Sequence, residues 1–412
     1  MNKKYSILMA AVLSGLAFNA AAETTINALF MSQAAYSEAD IRSMTNDFQK
    51  GNPGIKVKLE FVPYEALHDK IVAANGAGGA GYDVVLFDVI WPAEFVKNKM
   101  LTDVTKLVPA DQAKQVFPGA WTTVSYGGKL WGMPWILDTK YLFFNKEMLK
   151  KAGFNAPPKT WDELLQQAKV IKSKGLVKYP LVGSWSQSEA IVCDYTTLAL
   201  AHRGNFFEGG KPAFDKGGAL DAAKLMVNSL QSGLTNPNSK EYLEEDVRKV
   251  FSNGEAAFAL NWTYMYNMAN DPKQSKVAGK VGVVPAPGVA GKSVAAAVNG
   301  SMGLGMPPAG KHKAEAWKYI SYLTSSSTQN RYAKLSLPIW KDSLDKPEVS
   351  KGQEELIAAA RQSLQVMAGR PETAGYTKLS NILQKQLQNA LLGKAPVADA
   401  MKAVSSGAAG VQ

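Results

Sequence analysis

Two aspartates open the question of chemistry. Asp88 closes the apolar run Tyr82–Phe87, and Asp138 is embedded in the apolar stretch between Pro134 and Tyr141. A paired set of carboxylates can hydrolyse a glycosidic bond. The same groups can also accept hydrogen bonds from sugar hydroxyls with no proton transfer, since each ionised carboxylate offers two acceptor oxygens. Asp138 would be costly buried alone, so it either lies at an opening between structural units or has a polar partner. Asp88 can face a ligand, as residues at the carboxyl ends of strands in open α/β sheets do, and can also cap a helix over 91–98; the two roles need not exclude each other. Trp91 stands three residues beyond it. Other enzyme signatures are missing: there is no G-x-S-x-G, no G-x-x-x-x-G-K-[ST] and no H-E-x-x-H. His68, His202 and His312 lack metal-ligand spacing, and the reading calls for no cofactor and no metal.

Elements of alternating type must hold these residues. Strands are expected over 24–30, 55–61 and 82–87, with helices over 37–50 and 64–75 between them. Ser37 and Asp40 form a capping pair for the first helix. Alternation resumes after Asp138, with a helix opening at Thr160, strands over 179–183, 256–260 and 281–284, and helices over 221–232, 245–253, 311–323, 353–365 and 377–392. The stretch 294–306 is apolar with glycines at its centre. Such alternation predicts an α/β fold with a doubly wound sheet.

The N-terminus has the form of an export signal: Lys3 and Lys4, an apolar run over 5–18, and Ala20-Ala21-Ala22, which predicts cleavage after Ala22. No other apolar run is long enough to cross a bilayer, so the mature chain is expected outside the cytoplasm and not membrane-inserted. A chain of 412 residues with 46% hydrophobic content suits two domains. Cys193 is the only cysteine, in the apolar run 190–193, and reads as a buried inert thiol. The net charge is +11, or +9 without the first 22 residues, but acids are interleaved with the bases and no basic run reaches five. Nucleic acid is not an expected partner.

The block GGKLWGMPWILDTKYLFFNKEMLKKAGFNAPPKTWDEL (127–164) resembles the domain-crossing segment of bacterial extracellular solute-binding proteins, the carbohydrate-binding group that includes maltose-binding protein. In order along the chain, N-P-G-I-K-V, Y-D-V-V, F-S-N-G-E-A-A-F, V-G-V-V-P-A-P-G and W-K-Y-I-S-Y-L-T extend that resemblance over the mature sequence. It implies a two-lobed periplasmic-binding-protein fold, each lobe a sheet flanked by helices, with a hinge of several crossing segments near 137–140, 294–300 and 325–329. The lobes would comprise 23–137 plus 299–328 and 138–298 plus 329–412. The implied function is capture of a neutral sugar or sugar alcohol in the interlobe cleft of a monomer in the periplasm, for delivery to the membrane permease of an ATP-driven importer, without catalysis. Glycosidase activity, or binding of a polyamine or iron, is the alternative; a polyamine site should show several converging carboxylates, and the sequence offers two.

The resemblance also marks site residues. Trp262 ends the F-x-x-G-x-A-A pattern as a stacking platform, with Tyr264 beside it; a flat ring desolvates the apolar face of a sugar. Arg370, before Pro371, would present its donor fork to ligand, with a surface salt bridge as the alternative. Asn299, Gly300 and Ser301 occupy a crossing where glycine would let ligand approach the backbone; many relatives have a second glycine where Asn299 stands. Gln33 and Tyr36 follow the first strand, Trp185 and Gln187 follow the strand at 179–183, and Trp340 follows the Leu337-Pro338 turn. All are further candidates.

Overall fold

The computed structural model describes residues 23–78 and 81–411, apart from the side chains of Gln33 and Ala34. The export signal expected over 1–22 lies outside the described residues. Two principal sheets organise the chain. The first has the order Ile55–Val62, Thr24–Met31, Val84–Asp88, Met302–Gly305, Met133–Ile136. Its first three strands are parallel, and Met302–Gly305 runs antiparallel to both neighbours. The second has the order Leu181–Val182, Phe258–Asn261, Tyr141–Asn145, Val281–Val289, Ser293–Val298, Met367–Ala368.

Side-chain alternation explains why both sheets are covered on both faces. In Tyr141–Asn145, Leu142 and Phe144 join one apolar cluster, while Tyr141 and Phe143 join another on the opposite face. The helix Glu189–Ala201 is apolar nearly all round and buried almost throughout, as a core helix should be. The first sheet has its own core, in which Phe30, Tyr36 and Trp135 pack together.

Local signals position the ends of elements. Ser37 and Asp40 form the reciprocal capping box at the helix Glu38–Gly51. At Trp161–Ser173, Thr160 accepts from the Glu163 N–H, but the Glu163 carboxylate accepts from the Lys159 N–H, one residue before the expected partner. The strand expected over 281–284 continues to Val289. Its prolines are tolerated because it changes partner there: Val281–Pro285 pairs with Tyr141–Asn145, and Ala286 onward pairs with Ser293–Val298. The stretch 294–306 is two strands, one in each sheet, and Asn299–Ser301 carries the chain between them. A C-terminal helix, Val397–Ala408, was not expected, although Val397, Ala400, Met401 and Val404 keep helical spacing; it packs on Tyr376–Leu391.

Register brings the switching segments together. Met302 pairs with Asp88 on one side and Ile136 on the other, so three strand ends share one edge of the first sheet. From that edge the chain leaves through Leu137–Lys140 and arrives through Asn299–Ser301. The two crossings are tied by Gly300 N–H to the Asp138 carbonyl at 3.1 Å and by Asp138 N–H to Ser301 Oγ at 3.2 Å.

Candidate functional site

A cavity of about 280 Å³ opens where these strand ends meet the second sheet. Tyr64, Asp88 and Met302 line it from the first sheet's side, and Glu189, Glu244, Trp262, Tyr264 and Arg370 from the second's. Asp138 and Gly300 line it from the crossings.

Asp138 is 5% exposed. Its Oδ1 accepts three hydrogen bonds, from Thr139 N–H (2.9 Å), Thr263 N–H (3.1 Å) and Thr263 Oγ1 (2.6 Å). Oδ2 has no partner among the described residues and stays open to a further donor. Burial pushes this carboxyl up to about 7, against the Thr263 and Thr139 donors that favour the charged form.

Asp88 is spent differently. Oδ1 accepts from Ile90 N–H (3.1 Å) and from Arg370 Nη2 (3.0 Å), and Oδ2 accepts from the Tyr64 hydroxyl (3.0 Å). It is not the helix cap weighed from the sequence, since the following helix, Pro92–Lys97, starts from Trp91 with no side-chain cap. Arg370 is no surface residue: its side chain is 1% exposed. Nη1 reaches Glu189 at 2.7 Å and Nη2 also donates to the Asn299 carbonyl at 3.2 Å. Glu189 in turn accepts from Tyr376 and Ser380, both at 2.5 Å. One guanidinium thus ties the first sheet's edge to the helix Glu189–Ala201 and to a crossing.

Behind Trp262 lies a fully buried ammonium. Lys140 Nζ contacts Asp194 Oδ1 (2.5 Å), Ser184 Oγ (2.8 Å) and Glu244 Oε1 (3.4 Å), and sits 5.0 Å from the Trp262 ring centroid. Burial works against that charge, but Asp194 and Glu244 outweigh it and raise the Lys140 pKa above its ordinary value. Glu244 also accepts from Trp262 Nε1 at 3.2 Å. Gly300 completes the seat: a Cβ there would overlap the Trp262 ring. The glycine therefore makes room for the indole, a protein group, where the sequence suggested room for a ligand.

Of the fourteen residues singled out in the sequence, Asp88, Asp138, Trp262, Tyr264, Gly300 and Arg370 line the cavity. The Gln33 side chain lies outside the described residues. The remaining seven do not line it. Trp91 stacks on Tyr64 at 5.8 Å and 22°, and so backs a lining residue. Tyr36 is 1% exposed and packs on Trp135 at 4.9 Å. Trp185 is buried with Nε1 donating to Asp194 Oδ2 at 3.0 Å, and Gln187 is exposed. Asn299 uses its amide to hold the fold, donating to Gly119 O and Thr122 Oγ1 and accepting from Ser301 N–H. Ser301 is the crossing tie described above. Trp340 donates to the Thr324 carbonyl at 2.9 Å within the first core.

Sequence reasoning missed Tyr64, Lys140, Glu189 and Glu244. Tyr64 follows the strand Ile55–Val62, so the strand-end rule that marked Asp88 applies to it too. Lys140 was seen only as part of a crossing. The two glutamates were not singled out, since nothing in their local sequence distinguishes them from solvated surface charge. With them, six carboxylates line the cavity (Glu65, Asp88, Asp138, Glu189, Glu244 and Glu245) where the sequence suggested two.

Comparison with known proteins agrees with the fold. Residues 33–330 match the family described as bacterial extracellular solute-binding protein. A probable ABC transporter-binding protein of Deinococcus radiodurans is 34% identical over 68% of this chain and 67% of its own length. The arabinooligosaccharide-binding protein of Bacillus subtilis is 24% identical over 70% of this chain and 66% of its own. Among solved structures, maltose-bound MalE3 of T. maritima superposes with a TM-score of 0.87 at 28% identity, covering 93% of this chain and 98% of that one. A solute-binding protein of Thermotoga lettingae bound with alpha-D-tagatose gives 0.82 at 26% identity, with 93% and 98% covered. The chain thus has the two-lobed architecture of these proteins and belongs to the bacterial extracellular solute-binding protein family, the solute-binding components of ABC transporters.

Proposed function

We propose that this protein captures a sugar or sugar alcohol between its lobes and delivers it to the membrane permease of an ATP-driven importer. The observation that carries the reading is the cavity itself. Aromatic rings (Tyr64, Trp262, Tyr264) and hydrogen-bonding groups (Asp138 Oδ2 and the carboxylates of Glu65 and Glu244) line one space, as a ligand with apolar faces and hydroxylated edges requires. At about 280 Å³ it stands at the small end of the ~300–1,000 Å³ usual for ligand pockets, which favours one or two sugar rings. The relatives bound to maltose and tagatose support the same class. In this reading the lobes are 23–137 plus 299–328 and 138–298 plus 329–412, ligand contacts from both favour the closed state, and the mature chain is an exported periplasmic monomer, cleaved after Ala22. No turnover is part of it. Asp88 is held by Arg370 and Tyr64, and Asp138 Oδ1 by three donors.

A thermal-shift screen of the mature protein against mono-, di- and trisaccharides and sugar alcohols tests this. A ligand at ~100 times its dissociation constant should add about 2.7 kcal/mol to stability. Trp262→Ala should weaken the hit by about 1–3 kcal/mol, the scale of a large apolar contact. Hydrolysis products, or stabilisation only by non-sugar solutes, would overturn the proposal.

A further inference from the structure

The cavity carries a charge opposite to that of the whole chain. The chain is basic, at +11, yet six carboxylates line the cavity against one cation, Arg370. The groups behind the wall do not reverse this. Lys140 pairs with Asp194 and Glu244, and Arg248 pairs with Glu245. Including all of them, carboxylates outnumber cations by seven to three. Three acids keep unspent acceptors among the described residues: Asp138 Oδ2 has no partner although the residue is 95% buried, Glu244 spends only Oε1, and Glu65, exposed at the mouth, makes no ion pair.

A cleft lined by one sign of charge between low-dielectric walls focuses that field on its contents. Arg370 does little to offset it for an incoming anion, because Nη1 and Nη2 are already divided among Asp88, Glu189 and the Asn299 carbonyl, and only its buried Nε–H lacks a partner. An anionic ligand would meet repulsion with a single buried N–H to receive it. A cationic ligand would meet Asp138 Oδ2 as a charge-assisted acceptor and the rings of Tyr64, Trp262 and Tyr264, whose faces attract cations. The apolar remainder of the wall, including Met31, Ile136 and Met302, suits an organic ammonium better than a hydrated inorganic ion.

We infer that the cavity prefers a sugar or polyol carrying a protonated amine over its neutral counterpart, and rejects the acidic counterpart. This rests on the sugar-binding reading for the scaffold of the ligand but not for its charge. The test is calorimetric titration of the mature protein at pH 7.5 with matched triads of neutral, amino and uronic mono- and disaccharides, with spermidine and citrate as charge probes without a sugar. The amino member should bind about tenfold tighter than the neutral one, the gap between a charge-assisted and a neutral hydrogen bond, and the uronic member and citrate should not bind. Asp138→Asn should reduce the amine preference to a few-fold; Glu65→Gln, an exposed change that leaves the fold intact, should reduce it less. Binding of spermidine but no sugar would uphold the charge inference and overturn the sugar reading. Equal or tighter binding of the neutral member would do the reverse. A uronic or citrate hit, or no binding by any amine, would overturn the inference outright.

Discussion

Replacing Arg370 by methionine should destabilise the fold by about 3 kcal/mol, at the low end of the ~3–5 kcal/mol expected when one partner of a buried ion pair is removed. The guanidinium, 1% exposed, is shared between Asp88 and Glu189, whose side chains are 7% and 11% exposed. Removing it leaves two buried carboxylates and the Asn299 carbonyl without that donor. The loss stays at the low end because each acid keeps other donors. Asp88 retains Ile90 N–H and the Tyr64 hydroxyl, and Glu189 retains Tyr376 and Ser380. Methionine keeps the apolar stem, so the change isolates the charge. Urea unfolding of the ligand-free protein, followed by tryptophan fluorescence, measures the effect. Adding Asp88→Asn to Arg370→Met should recover part of the loss, since one stranded charge is gone, whereas Asp88→Asn alone should destabilise. A cost below about 1 kcal/mol for Arg370→Met, or no recovery in the double variant, would refute the view that this guanidinium holds the two sides together.

Other outcomes follow from single contacts. Gly300→Ala drives a Cβ into the Trp262 ring. Overpacking of this kind costs ~1–3 kcal/mol, and because Trp262 is only half-buried, the ring should yield and ligand affinity should fall more than unfolding stability; unchanged affinity would place Trp262 outside the site. Asp138, raised from 3.8 to about 7, keeps a proton in the native state that the unfolded chain has released. Its contribution to stability is therefore full below pH 4 and is lost as pH rises to about 7. Asp138→Asn should flatten that part of the stability–pH curve, and a slope unchanged by the substitution would assign it to other groups. Cys193 lines the cavity, is 4% exposed, and has its thiol pKa pushed up by burial. It should react slowly with a thiol reagent in native protein, and more slowly still with ligand bound; fast labelling insensitive to ligand would contradict the burial.

How far the sequence reached can be judged at particular residues. Periodicity and capping pairs gave most of the elements, because burial and end-capping are local demands that residue types meet directly: Ser37 and Asp40 sit where the helix begins, and Val84–Asp88 is a buried strand, parallel to Thr24–Met31 and antiparallel to Met302–Gly305. Asp88 and Asp138 stood out because a carboxylate in an apolar run needs a special environment. The resemblance pointed to Trp262 and Arg370. Partnership, however, is not local. The indoles of Trp91, Trp185 and Trp340 are no less aromatic than that of Trp262, and only packing decides that the first three back other side chains while the fourth faces the cavity. Gly300 was legible as a special glycine, but what it makes room for is Trp262, 38 positions earlier in the chain. Glu189 and Glu244 look like ordinary helix starts until the fold brings them to Arg370 and Lys140. The sequence by itself determined most of the elements and that a polar site exists at their ends. The tertiary structure decided which polar groups neutralise one another and which remain for a ligand, because that depends on distances between segments that the chain order does not contain.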